Sequence, residues 1–236
     1  MGDGRWFTPQ RGSCSCECCG GDCAGHESKV IGYDRTAWAC ISQWMPCAEV
    51  RLNLKDDISS LSGCDVLFMG CNQACENAIH FDSGDFATIK SWIEAGGRCY
   101  LSGEYSGCLG DLAALNAFLT SMGAGMQLKD DSYDAGCSLL GGRDCQEGAA
   151  NIASGIETTR YSLTATIDLT YGGTSVFLRS APNSNVIVAV EGLSSGFLFL
   201  SGDSNIVSGV GCGDCPTYDN SEFFCRIVTY DDADII

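Results

Sequence analysis

Positive charge, histidine and long apolar runs are what this chain has least of. Its 236 residues hold 13 Lys+Arg against 30 Asp+Glu, a net charge of −17. Summed repulsion of that size disfavours phosphate backbones and anionic membrane surfaces, so nucleic acid is not an expected partner. No apolar run approaches membrane-spanning length, which argues against membrane insertion. The segment Met1-Gly2-Asp3-Gly4-Arg5-Trp6 lacks a basic stretch followed by an apolar core, so no ordinary signal peptide is expected. There are only two histidines, His26 and His80, and neither lies in the C-terminal third. With four prolines and no Pro/Ser-rich linker, the chain does not divide into two convincing halves.

Cysteine, by contrast, is abundant, with 17 residues, an odd number that leaves at least one sulfur free or bonded to another chain. Cytosolic enzymes rarely accumulate so many thiols unless they bind metal or the protein reaches an oxidising place. Synthesis in the cytoplasm followed by release, as for a bacteriophage virion protein of the tail or capsid surface, reconciles the cysteines with the missing signal. Other extracellular assemblies fit the same facts.

The first 27 residues read as a Gly- and Cys-rich extension without helical or strand periodicity, followed by one domain over 28–236. In the extension Cys14, Cys16, Cys18, Cys19 and Cys23 can supply thiolates to zinc or an iron–sulfur cluster, with His26 as a nitrogen ligand. Cys212 and Cys215 form a second short-spaced pair. The C-x-C-x-C-C spacing is not a standard zinc pattern, and adjacent and alternate cysteines more often belong to separate disulfides that pin a loop-rich arm; metal ligation and free thiols are the alternatives. Cys40, Cys64, Cys99 and Cys225 fall inside predicted elements and read as small apolar core residues. The arm, with Trp6 in it, is the expected attachment to other protein subunits.

After the arm, strands and helices alternate. Strands are predicted at 29–33, 48–54, 64–70 and 98–102, and helices at 36–45, from Asp85 to Gly96, and from Leu112 to Gly123. Residues 128–159 have weak periodicity and read as irregular insertions. Strand-like runs follow at 175–179, 186–191 and 196–201, the last two placed for antiparallel pairing, and a final helix spans 220–230. This rhythm predicts an α/β fold: three layers, a mostly parallel sheet with helices on both faces, and C-terminal antiparallel strands.

Where the predicted strand 98–102 turns into a helix, the chain reads Leu101-Ser102-Gly103-Glu104-Tyr105-Ser106-Gly107. A glycine-flanked strand-to-helix turn lifts one side chain above the sheet edge and is a common mount for a nucleophile. Together with Cys64-Asp65-Val66-Leu67-Phe68-Met69-Gly70, the run from Phe86 to Arg98, Val188 to Glu191 and Gly196 to Asn205, this order resembles the class I glutamine amidotransferase-like superfamily. The likeness runs over roughly residues 28–230 and is greatest to its divergent members in large extracellular and trafficking proteins. It implies a flavodoxin-like α/β fold and, in catalytic members, a cysteine on the turn supported by a late histidine and an acid. Here Glu104 and Tyr105 occupy the turn and no late histidine exists, so the triad does not carry over.

Three weaker catalytic candidates remain. Cys108 stands about one helical turn past Glu104. Glu104 and Asp203 are placed by the resemblance beyond the same sheet edge, where a carboxylate pair can bind a cation or act as acid and base. The simpler account is that both carboxylates accept hydrogen bonds from neighbouring backbone amides. The leading expectation is a non-catalytic structural or interaction subunit of a larger assembly. The alternatives are a hydrolase or amidohydrolase with a rearranged site, and a metal-binding or redox module.

Overall fold

The computed structural model describes residues 29–35, 48–70, 79–107, 112–132, 142–147, 152, 156, 158–161, 163–170, 174–180, 185–206, 220–229 and 235. The extension 1–27 and the helix expected at 36–45 lie outside them.

Strands β1 (Val30–Tyr33), β2 (Glu49–Arg51), β3 (Val66–Gly70), β4 (Arg98–Ser102) and β11 (Gly196–Ser201) form a parallel block in the order β2-β1-β3-β4-β11. Beyond β11 the same sheet continues antiparallel through β10 (Val186–Leu193), β9 (Thr174–Ser180), β6 (Gly142–Glu147) and β7 (Thr158–Arg160). A separate pair joins β5 (Met126–Leu128) to β8 (Ile167–Leu169). The α/β class, with helices on both faces and antiparallel C-terminal strands, is therefore the fold of this chain.

Period-2 alternation sorts the central strands into two cores. Val66, Phe68, Tyr100 and Phe199 face one side, where helix α3 (Asn220–Thr229) supplies Phe223, Phe224, Ile227 and Val228. Leu67, Met69, Cys99, Leu101, Leu198 and Leu200 face the other, against α1 (Asp85–Glu94) and α2 (Leu112–Met122). Because both faces are covered, β3, β4 and β11 are buried along their whole length, which is why β3 and β11 read as nearly continuous apolar runs.

Local chemistry fixes the helix ends. Asp82 Oδ1 accepts the amides of Gly84 and Asp85, and Asp85 Oδ2 accepts the Asp82 amide in return, a reciprocal cap on α1. The helix stops where Gly96 adopts φ 113 and its amide closes onto the Ile93 carbonyl. Asn53, at φ 57, ends the predicted second strand early, so only Glu49–Arg51 pair, and Leu54 turns inward to a buried position.

Residues 128–159 contain more order than their sequence shows: β6 and most of β7 lie there. Gly-Arg-Asp-Cys-Gln-Glu in β6 has no apolar alternation, and the strand exists through its backbone ladders to β9 and β7. Cys64, Cys99 and Cys225 are buried and outside any disulfide, as expected of apolar-like core cysteines, while Cys40 lies outside the described residues.

Phe224 sits 5.6 Å from both the Phe68 and Tyr100 ring centres and 4.9 Å from Phe223, joining α3 to the sheet. Phe224→Ala is expected to lower unfolding free energy by about 3–5 kcal/mol, read from urea denaturation, because the rigid aromatic cluster leaves a cavity. A loss below about 1 kcal/mol would contradict this packing.

Candidate functional site

The in-step register of β3, β4 and β11 pairs Gly70 with Ser102 and Ser102 with Ser201, so the loops after these strands emerge side by side. Ligands of open α/β sheets gather at this C-terminal edge. Two close approaches hold the edge together. A Cβ on Gly70, which has φ 113, would fall 2.2 Å from the Ser102 carbonyl oxygen, and one on Gly202 would fall 1.9 Å from that of Ala165. The Gly103 amide donates to the Ser201 carbonyl at 2.7 Å, the Gly202 amide to Ile187, and the Ala165 amide to Gly202.

On this frame the structure brings Glu104 and Asp203 together, each buried, with 2% and 0% relative exposure. Glu104 Oε2 accepts the Ser204 hydroxyl at 2.5 Å, Oε1 accepts the Tyr105 amide at 3.0 Å, and the Ser204 backbone also donates to the carboxylate. Ser201 Oγ donates to the Asp203 carbonyl at 2.8 Å. Burial pushes the Glu104 carboxyl up to about 8; the nearby Asp203 charge adds to the rise, and the three donors oppose it. Burial also raises the Tyr100 phenol, which lies against Ser201 and is raised further by Asp203.

This arrangement matches the simpler account for Glu104, extended by one residue the sequence did not single out. Ser204 begins the 3₁₀ turn Ser204–Ile206, and its hydroxyl and amide both point at Glu104. A Gly-Asp-Ser-Asn run after an apolar strand signals a capped turn, but not a partner 100 residues away. Asp131 clamps Thr166: Oδ1 accepts the Thr166 amide at 2.8 Å and Oδ2 its hydroxyl at 2.5 Å. The exposed His80 is the one histidine among the described residues.

Cys108 lies outside the described residues, as do Cys14, Cys16, Cys18, Cys19, Cys23, His26, Cys212 and Cys215. Among the described residues no group of three or more His, Cys, Asp or Glu side chains is placed to hold a metal ion. No described helix is long and apolar enough to cross a membrane.

At the opposite edge of the sheet a cavity of about 380 Å³ opens between Lys29, Cys64, Asp65, Trp92, Gly97 and Arg98. Its polar groups serve the fold. Asp65 Oδ2 accepts the Val30 amide at 2.7 Å, Trp92 Nε1 donates to the Cys64 carbonyl, and Arg98 Nη1 donates to the Ile227 carbonyl at 2.9 Å. Burial raises the Cys64 thiol, opposed by Arg51 and assisted by Asp65 and Glu49, and burial raises Cys99 as well.

No protein-family model matches the chain, and no curated protein matches it in sequence. Solved structures do share its fold. The mmIFT52 N-terminal domain superposes with a TM-score of 0.62 at 14% identity, covering 86% of this chain and 99% of that one. Cytoplasmic protein STM3548 from Salmonella typhimurium gives 0.56 at 9% identity, covering 85% and 97%. The exo-beta-1,4-mannosidase Op5Man5 from Opitutaceae bacterium strain TAV5 gives 0.55 at 9% identity, and there the match spans 86% of this chain but 36% of the enzyme. None of these three is named as a glutamine amidotransferase, so that resemblance rests on the sequence motifs.

Alkylation followed by mass spectrometry checks the thiol environments. Cys99, with 0% exposure, should remain unlabelled until the protein unfolds, and Cys64, at 8%, should react more slowly at mildly alkaline pH than a small-molecule thiol. Rapid labelling of either in the native protein would contradict these positions.

Proposed function

We propose that this chain is a non-catalytic structural or interaction subunit of a larger protein assembly, attached through its Cys-rich N-terminal arm. The observation that carries this reading is the buried Glu104 at the strand-to-helix turn. Its oxygens are committed to Ser204 and Tyr105, where an enzyme of the resembled superfamily would expose a thiol. A nucleophile or general acid must reach its substrate, and a carboxyl at 2% exposure with Asp203 at 0% offers neither surface nor approach. The Glu104 carboxyl therefore works as a fastener of the sheet edge.

The acidity and the 17 cysteines make a bacteriophage virion the first assembly to search. Disulfides, or zinc or an iron–sulfur cluster held by the arm, are the means proposed for ordering it. The hydrolase reading would need the sheet edge to open, and the metal or redox reading would need stoichiometric metal in the native protein.

Particle fractionation tests the reading. The chain should co-purify with a particle at fixed stoichiometry, and Glu104→Ala or Cys108→Ala variants that remain folded should still incorporate at an undiminished ratio. A stable isolated monomer, never found in particles, would overturn it. So would a hydrolytic activity abolished by Glu104→Gln in a folded protein.

A further inference from the structure

We propose that Glu104 and Asp203 form a proton-held latch between the loop after β4 and the loop after β11: with one carboxyl protonated the loops stay joined, and with both ionised they part. The geometry is that of two buried acids on two separate loops. Ser204 Oγ reaches Glu104 Oε2 at 2.5 Å across 100 residues of sequence, so this bond joins chain segments that share no local connection. Glu104 and Asp203 have 2% and 0% exposure, so water cannot screen two negative charges there. Two ionised carboxylates in such a place repel one another, and the proton that relieves them is released to solvent when the latch opens.

Other described titratable and charged groups at this edge do not replace Asp203 as the charge acting on Glu104. Tyr100 on β4 stays neutral because burial raises its phenol. Arg35, after β1, donates from Nη2 to the Gly70 carbonyl at 2.6 Å and lies 3.9 Å from the buried Asp34. Asp131, after β5, is committed to Thr166, and His80 is exposed. The donors on Glu104, namely Ser204 Oγ and the Ser204 and Tyr105 amides, favour its carboxylate and oppose the rise to about 8.

The sign follows from linkage. A carboxyl whose folded pKa lies above its unfolded value binds an extra proton in the native state. Stability from this group is therefore complete below about 4.5, falls as pH rises, and levels off above about 8. The opening is local, at the edge where Gly103 bonds Ser201 and Ser106 bonds Asp131. This inference does not rest on the assembly reading, since its readout is the full chain in solution.

Hydrogen exchange of the full-length protein across pH 6 to 10, corrected for intrinsic amide chemistry, tests it. Protection at the Gly103 and Ser106 amides should fall by about tenfold or more between pH 6 and 8 and level off above about 8, while Leu67 and Leu198 keep theirs. Glu104→Gln should abolish the fall. Ser204→Ala should move the pH at which the fall levels off upward, because a donor favouring the carboxylate is lost, and Asp203→Asn should move it downward, because a repelling charge is lost. If Glu104→Gln does not fold, the two opposite shifts decide the matter. The proposal is overturned by an unchanged profile in the native protein or a fall retained in Glu104→Gln. An equal loss at Leu67 and Leu198, or shifts of the same sign in the other two variants, would overturn it as well.

Discussion

Burial of β3, β4 and β11 on both faces is the constraint from which the remaining architecture follows. A parallel strand in this position cannot turn a polar side toward water, so both of its faces must be roofed by apolar helices. The roofs are Phe223, Phe224, Ile227 and Val228 of α3 on one side and the apolar faces of α1 and α2 on the other. Once the three strands are packed in step, their C-terminal ends stop at the same level, and the loops that follow have no freedom to diverge. Gly70 and Gly202 allow those loops to come closer than any side chain would permit.

That closeness gives Glu104 its character. A glutamate on a strand-to-helix turn would ordinarily stand in solvent as an ionised carboxylate. Here the β11 loop covers it with Ser204 on one oxygen and Asp203 nearby, and desolvation raises its pKa towards 8. The same turn shape that presents a nucleophile in other α/β proteins is used to tie two loops together. Fold likeness to cytoplasmic protein STM3548 over 97% of its chain, and to 36% of a mannosidase chain, fits a scaffold found both by itself and within larger chains. Such likeness carries shape and not chemistry.

The central strands, α1, α2, α3 and the β10–β11 hairpin were legible because each has a strong local signal. Continuous apolar runs mark doubly buried strands, spacing of three and four marks the helices, and glycines mark their ends. Strands β6 and β7 were not legible, since Gly142–Glu147 carries no apolar alternation in sequence and shows itself through backbone ladders to β7 and β9. The second strand shortened because left-handed Asn53 interrupts it. For the site, the elbow and both carboxylates were visible, whereas Ser204 as the partner of Glu104 and Asp131 as the clamp on Thr166 were not. Hydrogen bonds over such separations leave no periodic trace.

By itself, then, the sequence determined the α/β class, the order of the core elements and the absence of a late histidine, because hydrophobic periodicity, turn residues and composition are properties of neighbours along the chain. Tertiary structure alone decided that the two acids are sealed from water and that the glutamate on the turn is bonded to Ser204 of a distant loop. Burial and pKa depend on what lies across space from a side chain, and for Glu104 that is a loop 100 residues away.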